Sequence, residues 1–319
     1  MSIGAFAPSS GKVLVHGARG ADDYSAWGEV QLVTPLRPDF DALSHQGYDV
    51  AFDLPGAVYA AALVQIVKSK PRSLAMLAQA YDAVVPGGPV FVDGQKPEGI
   101  ESILKAVRGR VEVSQVVAKA HGKLFWFDRT EAASFEDWHA NSQAAGTGYV
   151  TYPGVFSADG PDPGSEVLIA LVPKLKGHVA DFGSGWGYLA GEILAQQPEI
   201  KRMDMIEADR LAHKCGVKNV NDARAQHIWA DVTALDEDYD AIICNPPFHS
   251  GRDTDPGLGR AFIAAAARCL KSSGRLYLVA NRHLPYEAAL KQAFGTGRMI
   301  AEIQGYKLYE AAKPLRGRR

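Results

Sequence analysis

Along the first 130 residues, short apolar runs alternate with segments of helical periodicity, and that alternation sets the expected elements. Residues 12–16 (KVLVH), 49–52 and 90–93 read as strands, whereas 57–67, 73–84 and 99–107 read as helices. Pro86-Gly87-Gly88-Pro89 turns the chain into the strand at 90–93. Residues 111–117 and 123–127 are expected to pair as a late antiparallel ribbon. Strands interleaved with helices predict an α/β sandwich around a largely parallel sheet. Residues 131–148 are polar and rich in Ala, Ser and Gly, as a linker or surface hairpin is, so the domains are expected at 1–130 and 149–319.

The second half begins with a turn and a helix at 164–170, then a strand at 178–182 and a helix from near Tyr188. Strands follow at 202–206, 226–230 and 239–244, and a helix with an Ala-rich face at 260–270. Parts of the two halves echo each other. VVPGGPVFVDGQKPEGIESILKAV and then HGKLFWF match CLKSSGRLYLVANRHLPYEAALKQAF and then QGYKLY, with Lys105 opposite Lys291. Residues 48–55 (YDVAFDLP) also shadow 239–246 (YDAIICNP), with Leu54 where Asn245 stands. The echo predicts a duplicated domain whose first copy kept its scaffold and lost its chemistry; a generic likeness of strand-helix units is the alternative.

That chemistry is carried by two loops. After the strand at 178–182 comes Asp181-Phe182-Gly183-Ser184-Gly185-Trp186-Gly187, whose glycines let the backbone turn tightly and approach a ligand at a helix N-terminus. A carboxylate inside that loop would repel a pyrophosphate, but it suits a cation such as S-adenosylmethionine, with its amino group and sulfonium. Glu207 ends the next strand, placed for ribose hydroxyls, with Asp209 competing for the role. Asp231 ends the one after, as an acceptor for an adenine amino group or as a helix N-cap.

The second loop, Asn245-Pro246-Pro247-Phe248-His249, follows a buried strand that the prolines must end. It offers an Asn amide, prolyl carbonyls and a flat ring. Together these suit a planar substrate with an exocyclic amine, Asn245 and Pro246 accepting its hydrogens while Phe248 stacks on its ring; a plain Pro-rich turn is the other reading. Phe156 and Ser157 are placed to cover the cofactor, and the loop at 250–259 to close over a substrate.

Composition narrows the partners. The 319 residues are 47% hydrophobic, enough for two cores, and no apolar run reaches the ~18 residues of a membrane helix. The opening MSIGAFAPSSGK lacks a charged-then-apolar signal, so a cytoplasmic location is expected. Cys215, Cys244 and Cys269 are too scattered for a zinc site and read as free thiols. A net charge of −2 leaves any nucleic-acid contact to local patches: Arg252 and Arg260 at the mouth of the site, Arg282 and His283, and the tail 313–319, which otherwise is a solvated end.

Taken in order, the glycine loop, the acidic strand end, Asp231 and NPPF resemble class I S-adenosylmethionine-dependent methyltransferases acting on amino nitrogens. PGVFS at 153–157, NPPFH, ANRHLPYEAAL and GYKLYEA are similar to the small-subunit (16S) ribosomal RNA guanine-N2 methyltransferase C family. The first half, with PGGPVFVDGQKPEGI and HGKLFWF, is similar to that family's N-terminal domain. The resemblance spans nearly the whole chain. It implies two tandem Rossmann-like class I methyltransferase domains, the first degenerate. It further implies methyl transfer to the N2 amine of a guanine, by a monomer that works on ribosomal RNA or the small subunit, away from membranes and without a metal. One departure is Glu207, where the family usually has Asp. Two rivals are a protein glutamine N5-methyltransferase, in which Tyr is commoner than Phe248, and a non-enzymatic assembly factor, against which Asp181, Gly183, Gly185, Gly187 and Asn245 stand.

Overall fold

The computed structural model describes residues 11–146, 148–247, 249–250, 253–254 and 256–315. It divides into two units, Met1–Asn141 and Ser142–Arg319. That boundary falls inside the stretch read as a linker. Residues 131–141 fold with the first unit, where Phe135 is buried against Tyr81, Phe127 and Trp138.

In the first unit the elements run β1 (Val13–His16), β2 (Val30–Val33), α1 (Arg37–His45), β3 (Val50–Ala51), β4 (Ala61–Gln65), α2 (Lys70–Ala83), β5 (Pro89–Gln95), α3 (Ile100–Arg108), β6 (Val117–Lys119) and β7 (Gly122–Asp128). The sheet order is β3-β2-β1-β4-β5-β7-β6, parallel from β3 to β5 and antiparallel beyond. Every residue of β1, β2 and β4 is buried, because helices and loops cover both faces of a parallel centre and leave no place for polar alternation.

Burial on both faces explains one correction. Residues 57–67 are not a helix but contain β4, whose continuous apolar run carries no period by which strand and helix could be told apart. A second correction concerns the echo at 48–55. It falls on β3, at the sheet edge, whereas the strand beside β1 is β4; Gln65, not Leu54, ends the strand in that position. The late ribbon is present, but its first strand starts at Val117, paired with Leu124, and 111–116 precede it.

The second unit opens with a short hairpin, β8 (Gln143–Ala144) and β9 (Val150–Thr151), followed by α4 (Pro163–Leu171), β10 (Gly177–Phe182), α5 (Tyr188–Gln196), β11 (Ile200–Glu207), α6 (Arg210–Asn219), β12 (Ala225–Trp229) and β13 (Tyr239–Cys244). Then come the hairpin β14 (His249–Ser250) and β15 (Asp253–Thr254), α7 (Pro256–Cys269), β16 (Leu270–Asn281), α8 (Glu287–Ala293), β17 (Phe294–Ile303) and β18 (Tyr306–Pro314). The helix α7 thus claims the end of the expected loop at 250–259. The sheet order, β12-β11-β10-β13-β16-β18-β17, repeats that of the first unit strand for strand. Two apolar clusters sandwich this sheet, one around Phe182, Ile242 and Ile263 and one around Leu168, Ile193 and Val279. Among the described residues no helix is long and apolar enough to cross a membrane.

Candidate active site

Strands β10 and β13 lie side by side with Phe182 opposite Cys244, so the loops that leave them emerge together where the strand order changes direction. A single cleft is lined by Gly183, Ser184 and Gly185 from the first loop, by Asn245 from the second, and by Phe156, Ser157 and Asp162 from the segment before β10. A much larger cavity, about 1340 Å³, runs between α7 and α8 and contains Arg260, but none of the candidate cofactor or catalytic residues. Convergence of loops at the switch point, rather than volume, locates the chemistry.

The glycine loop folds back on the sheet edge, where the amides of Gly183 and Ser184 both donate to the Ile206 carbonyl (2.9 and 3.0 Å). Gly187 has φ of +93°, and a Cβ there would lie 2.8 Å from Val220 Cγ2, so no other residue fits. Gly185, at φ +57°, opens on free space. Its amide donates to Glu207 Oε2 (2.8 Å), while Glu207 Oε1 accepts from the Asp209 amide (2.7 Å). The carboxylate at the second strand end therefore holds the loop itself. Burial pushes its carboxyl up to about 7, although those two amides hold it down.

Asp181 is fully buried, and among the described residues neither carboxylate oxygen has a hydrogen-bond partner. Burial first, and the Glu207 charge second, push it up to about 8; the Ala190 amide, near but outside hydrogen-bonding geometry, offsets them in part. Asp204, the other fully buried carboxylate among the described residues of this unit, differs sharply. It accepts from Arg202 Nε (2.7 Å) and the Tyr239 hydroxyl (3.2 Å) and meets His178 Nε2 (2.9 Å). A buried carboxylate without partners marks a site made for something cationic.

Asn245 turns its amide nitrogen to Asp162 Oδ2 (2.7 Å) and Ser165 Oγ (3.0 Å). Pro246 is buried and Pro247 exposed. Phe248 and Arg252 lie outside the described residues. Asp231 caps the 3-10 turn Val232–Ala234, with Oδ1 accepting from the Thr233 amide and Oδ2 from its hydroxyl, both at 2.8 Å, and it is not among the residues that line this cleft. Asp209 caps α6 in the same manner. Arg282 and His283 are exposed after β16.

Sequence reasoning missed two supports of the site. Asp162 and Pro163, at the N-cap and first position of α4, carry a helix-start signature, but nothing local tells that the cap also holds Asn245. Asn219 accepts from the Val150 amide and donates to the carbonyls of Val150 and Trp186, each at 2.8 Å, tying hairpin, glycine loop and α6 together. Its partners lie 69 and 33 residues away, so no spacing announces them. Around this knot the rings of Tyr149, Trp186 and Tyr188 pack at 5.4 to 5.7 Å.

At the corresponding edge of the first unit, the place of the glycine loop is taken by residues 17–29, with only the 3-10 turn Ser25–Trp27. Arg19 donates to the Ile66 carbonyl (3.1 Å) and pairs with Glu98 (2.9 Å). The Tyr24 hydroxyl donates to Gln65 Oε1 (2.6 Å), and Gln65 Nε2 to Asp22 (2.7 Å). These side chains satisfy one another, although the buried Nδ1 of His16 at the end of β1 has no hydrogen-bond partner among the described residues.

A mixed sheet of this order, with a glycine turn after its central strand and Asn-Pro-Pro after the neighbouring one, defines a methyltransferase; residues 147–310 match the family described as Methyltransferase small domain. Within that class the relatives are more particular. The chain is 32% identical over 255 residues to the ribosomal RNA small subunit methyltransferase C of Salmonella newport (strain SL254), covering 76% of this chain and 72% of that protein. To the protein of the same name from Shewanella pealeana it is 31% identical over 262 residues, covering 79% and 76%. It belongs to the ribosomal RNA small subunit methyltransferase C family. Its fold is similar to that of the T. thermophilus 16S rRNA N2 G1207 methyltransferase (RsmC) in complex with AdoMet and guanosine, with a TM-score of 0.79 at 24% identity over 96% of this chain and 89% of that one.

Proposed function

We propose that the second unit transfers a methyl group from S-adenosylmethionine to the exocyclic N2 amine of a guanine in 16S ribosomal RNA. The observation that carries this reading is the shared cleft: Gly183, Gly185 and Asn245, sixty residues apart in the chain, line one opening. Family membership supports the substrate, since the relatives act on small-subunit ribosomal RNA and the similarly folded T. thermophilus enzyme holds AdoMet and guanosine.

The residues fit the cofactor. Asp181 offers a cation a buried carboxyl group that has no hydrogen-bond partner among the described residues, and the backbone at Gly185 opens on free space. Asp181, Gly183, Gly185, Gly187, Glu207, Asp231 and Asn245 would hold S-adenosylmethionine, which when bound supplies an electrophilic methyl on a sulfonium. Of these, Glu207 and Asp231 keep lone pairs for ribose and adenine beyond the bonds they already accept.

Catalysis falls to Asn245, Pro246 and Phe248. A guanine amine is a poor nucleophile because its lone pair is delocalised into the ring. Acceptors at Asn245 Oδ1 and the Pro246 carbonyl take its hydrogens, rotate it toward a pyramidal shape and stabilise the positive charge that grows on it. Phe248 stacks on a base taken out of its helix. No strong base is needed, because the methylated amine is acidic and gives its proton to water. Positioning supplies most of the rate.

We read the first unit as a degenerate copy. Arg19, Tyr24 and Gln65 occupy one another where the second unit keeps a loop and a cleft, which supports a scaffold without a cofactor site. Its role is to extend the RNA surface or to support the second unit's folding.

The test is transfer of tritium from labelled S-adenosylmethionine into 30S subunits, naked 16S RNA or a peptide release factor. Label on guanine N2 is expected; label in protein alone discards the reading. In the same assay Asn245→Ala is expected to lower kcat by at least about 100-fold with cofactor affinity kept within about threefold. A matching collapse of cofactor affinity would make Asn245 chiefly a cofactor ligand and discard its catalytic role.

A further inference from the structure

The geometry points to Asp162 as a positioning residue: it fixes which way the Asn245 amide faces, and so whether the substrate amine meets an acceptor or a donor. The inference rests on the functional reading above and deepens it.

A side-chain amide has nearly the same shape when turned over, but turning it exchanges its carbonyl oxygen for its NH2 group. At Asn245 the exchange decides the chemistry, because an NH2 group in place of Oδ1 would confront the hydrogens of the amine. The local chain does not choose between the two faces. Partners do. The two hydrogens of Asn245 Nδ2 meet two acceptors, Asp162 Oδ2 at 2.7 Å and Ser165 Oγ at 3.0 Å. Ser165 is a weak arbiter, since a hydroxyl donates as readily as it accepts. A carboxylate oxygen only accepts. With the amide reversed, two oxygens would stand at 2.7 Å with no proton between them, so Asp162 excludes that face. Among the described residues no donor occupies Asn245 Oδ1, the oxygen that the substrate amine is proposed to meet.

Asp162 is itself held. It is the N-cap of α4, and the same Oδ2 accepts from the Ser165 amide at 3.1 Å. Pro163 starts the helix. At Gly164 a Cβ would stand 2.9 Å from Asp162 Oδ2 and 2.8 Å from the Tyr306 ring, so only a glycine leaves the carboxylate its place. The segment PDPGS, 80 residues before the catalytic loop, thus reads as cap, helix start and space, all serving one oxygen atom.

Capping and orienting can be separated. Asp162→Ser keeps a good N-cap, but its hydroxyl lies on a shorter stem and cannot reach Asn245. Asp162→Asn can place its own carbonyl oxygen where Oδ2 stands and accept from both donors. Methyl transfer to 16S RNA, cofactor affinity by calorimetry and thermal midpoint are measured for the full-length chain and both variants. For D162S, kcat is expected to fall about 10- to 100-fold, as for loss of one charge-assisted hydrogen bond, with cofactor affinity within about threefold of wild type; D162N recovers most of the lost turnover. If D162S fails to fold, Asp162→Thr, another N-cap whose hydroxyl stops short of Asn245, takes its place; the same fall in kcat at unchanged cofactor affinity supports the inference, and a wild-type kcat overturns it. Equal turnover by wild type and D162S overturns the inference alone, as does a loss of cofactor affinity as large as the loss of kcat. Absence of RNA methylation by the wild-type chain overturns the functional reading and the inference with it.

Discussion

At the scale of single residues, the contrast between two buried carboxylates says most about the site. Asp204 is surrounded by donors, whereas Asp181 is buried without a hydrogen-bond partner among the described residues, a cost that folding tolerates by keeping its proton. The consequence for stability has a definite sign. An unfolded Asp ionises near pH 4, but the folded protein keeps the proton on Asp181 until about pH 8. Between those values the unfolded state binds fewer protons, so stability falls as pH rises. Glu207, raised to about 7, adds to the trend in the same direction. Asp181→Asn is therefore expected to melt roughly 5 °C above wild type at pH 8 without cofactor, the margin closing toward pH 4, while losing cofactor affinity. A scan of thermal midpoint against pH checks it, and a margin that widens on acidification would refute the assignment. Asp181, the three glycines and Asn245 were legible in the sequence because each sits in a local motif whose spacing reports its backbone. Asp162 and Asn219 were not, because their partners are brought to them only by the folded sheet.

Elements were legible where their period was distinct. The strands that carry the site, β10, β11 and β13, and the helices α4 and α5 lie where the alternation of apolar runs predicts them. What failed was β4, whose all-apolar stretch is compatible with a buried helix until its neighbours are known, and the echo at 48–55, where similar letters fall on strands with different places in the sheet. Elements also depend on single joints. Asn219 closes α6 and bonds to both the β9 hairpin and the glycine loop, so its side chain joins three elements that the chain visits separately. Asn219→Ala is expected to cost about 2 kcal/mol of stability and to weaken cofactor binding about tenfold, because the Trp186 carbonyl and the Val150 backbone lose their partner. Chemical denaturation and calorimetry measure the two effects. Lost stability at unchanged affinity would mean that the loop holds its shape without the joint.

At the scale of the whole molecule, two sheets share one strand order, and among the described residues the second carries a cleft with a carboxylate beside it that lacks a hydrogen-bond partner. Titration of the full chain with S-adenosylmethionine is expected to saturate at one equivalent, and a second equivalent abolished by Arg19→Ala would show that the first unit binds too. The shared order has a further effect on how such a chain is made. In the second sheet β18 lies between β16 and β17, so the strand synthesised last is not an edge but an interior member. Until residues 306–314 have left the exit tunnel, β17 has nothing to pair with and β16 shows an open flank. Until that point in translation this half of the protein can hold only a partial sheet.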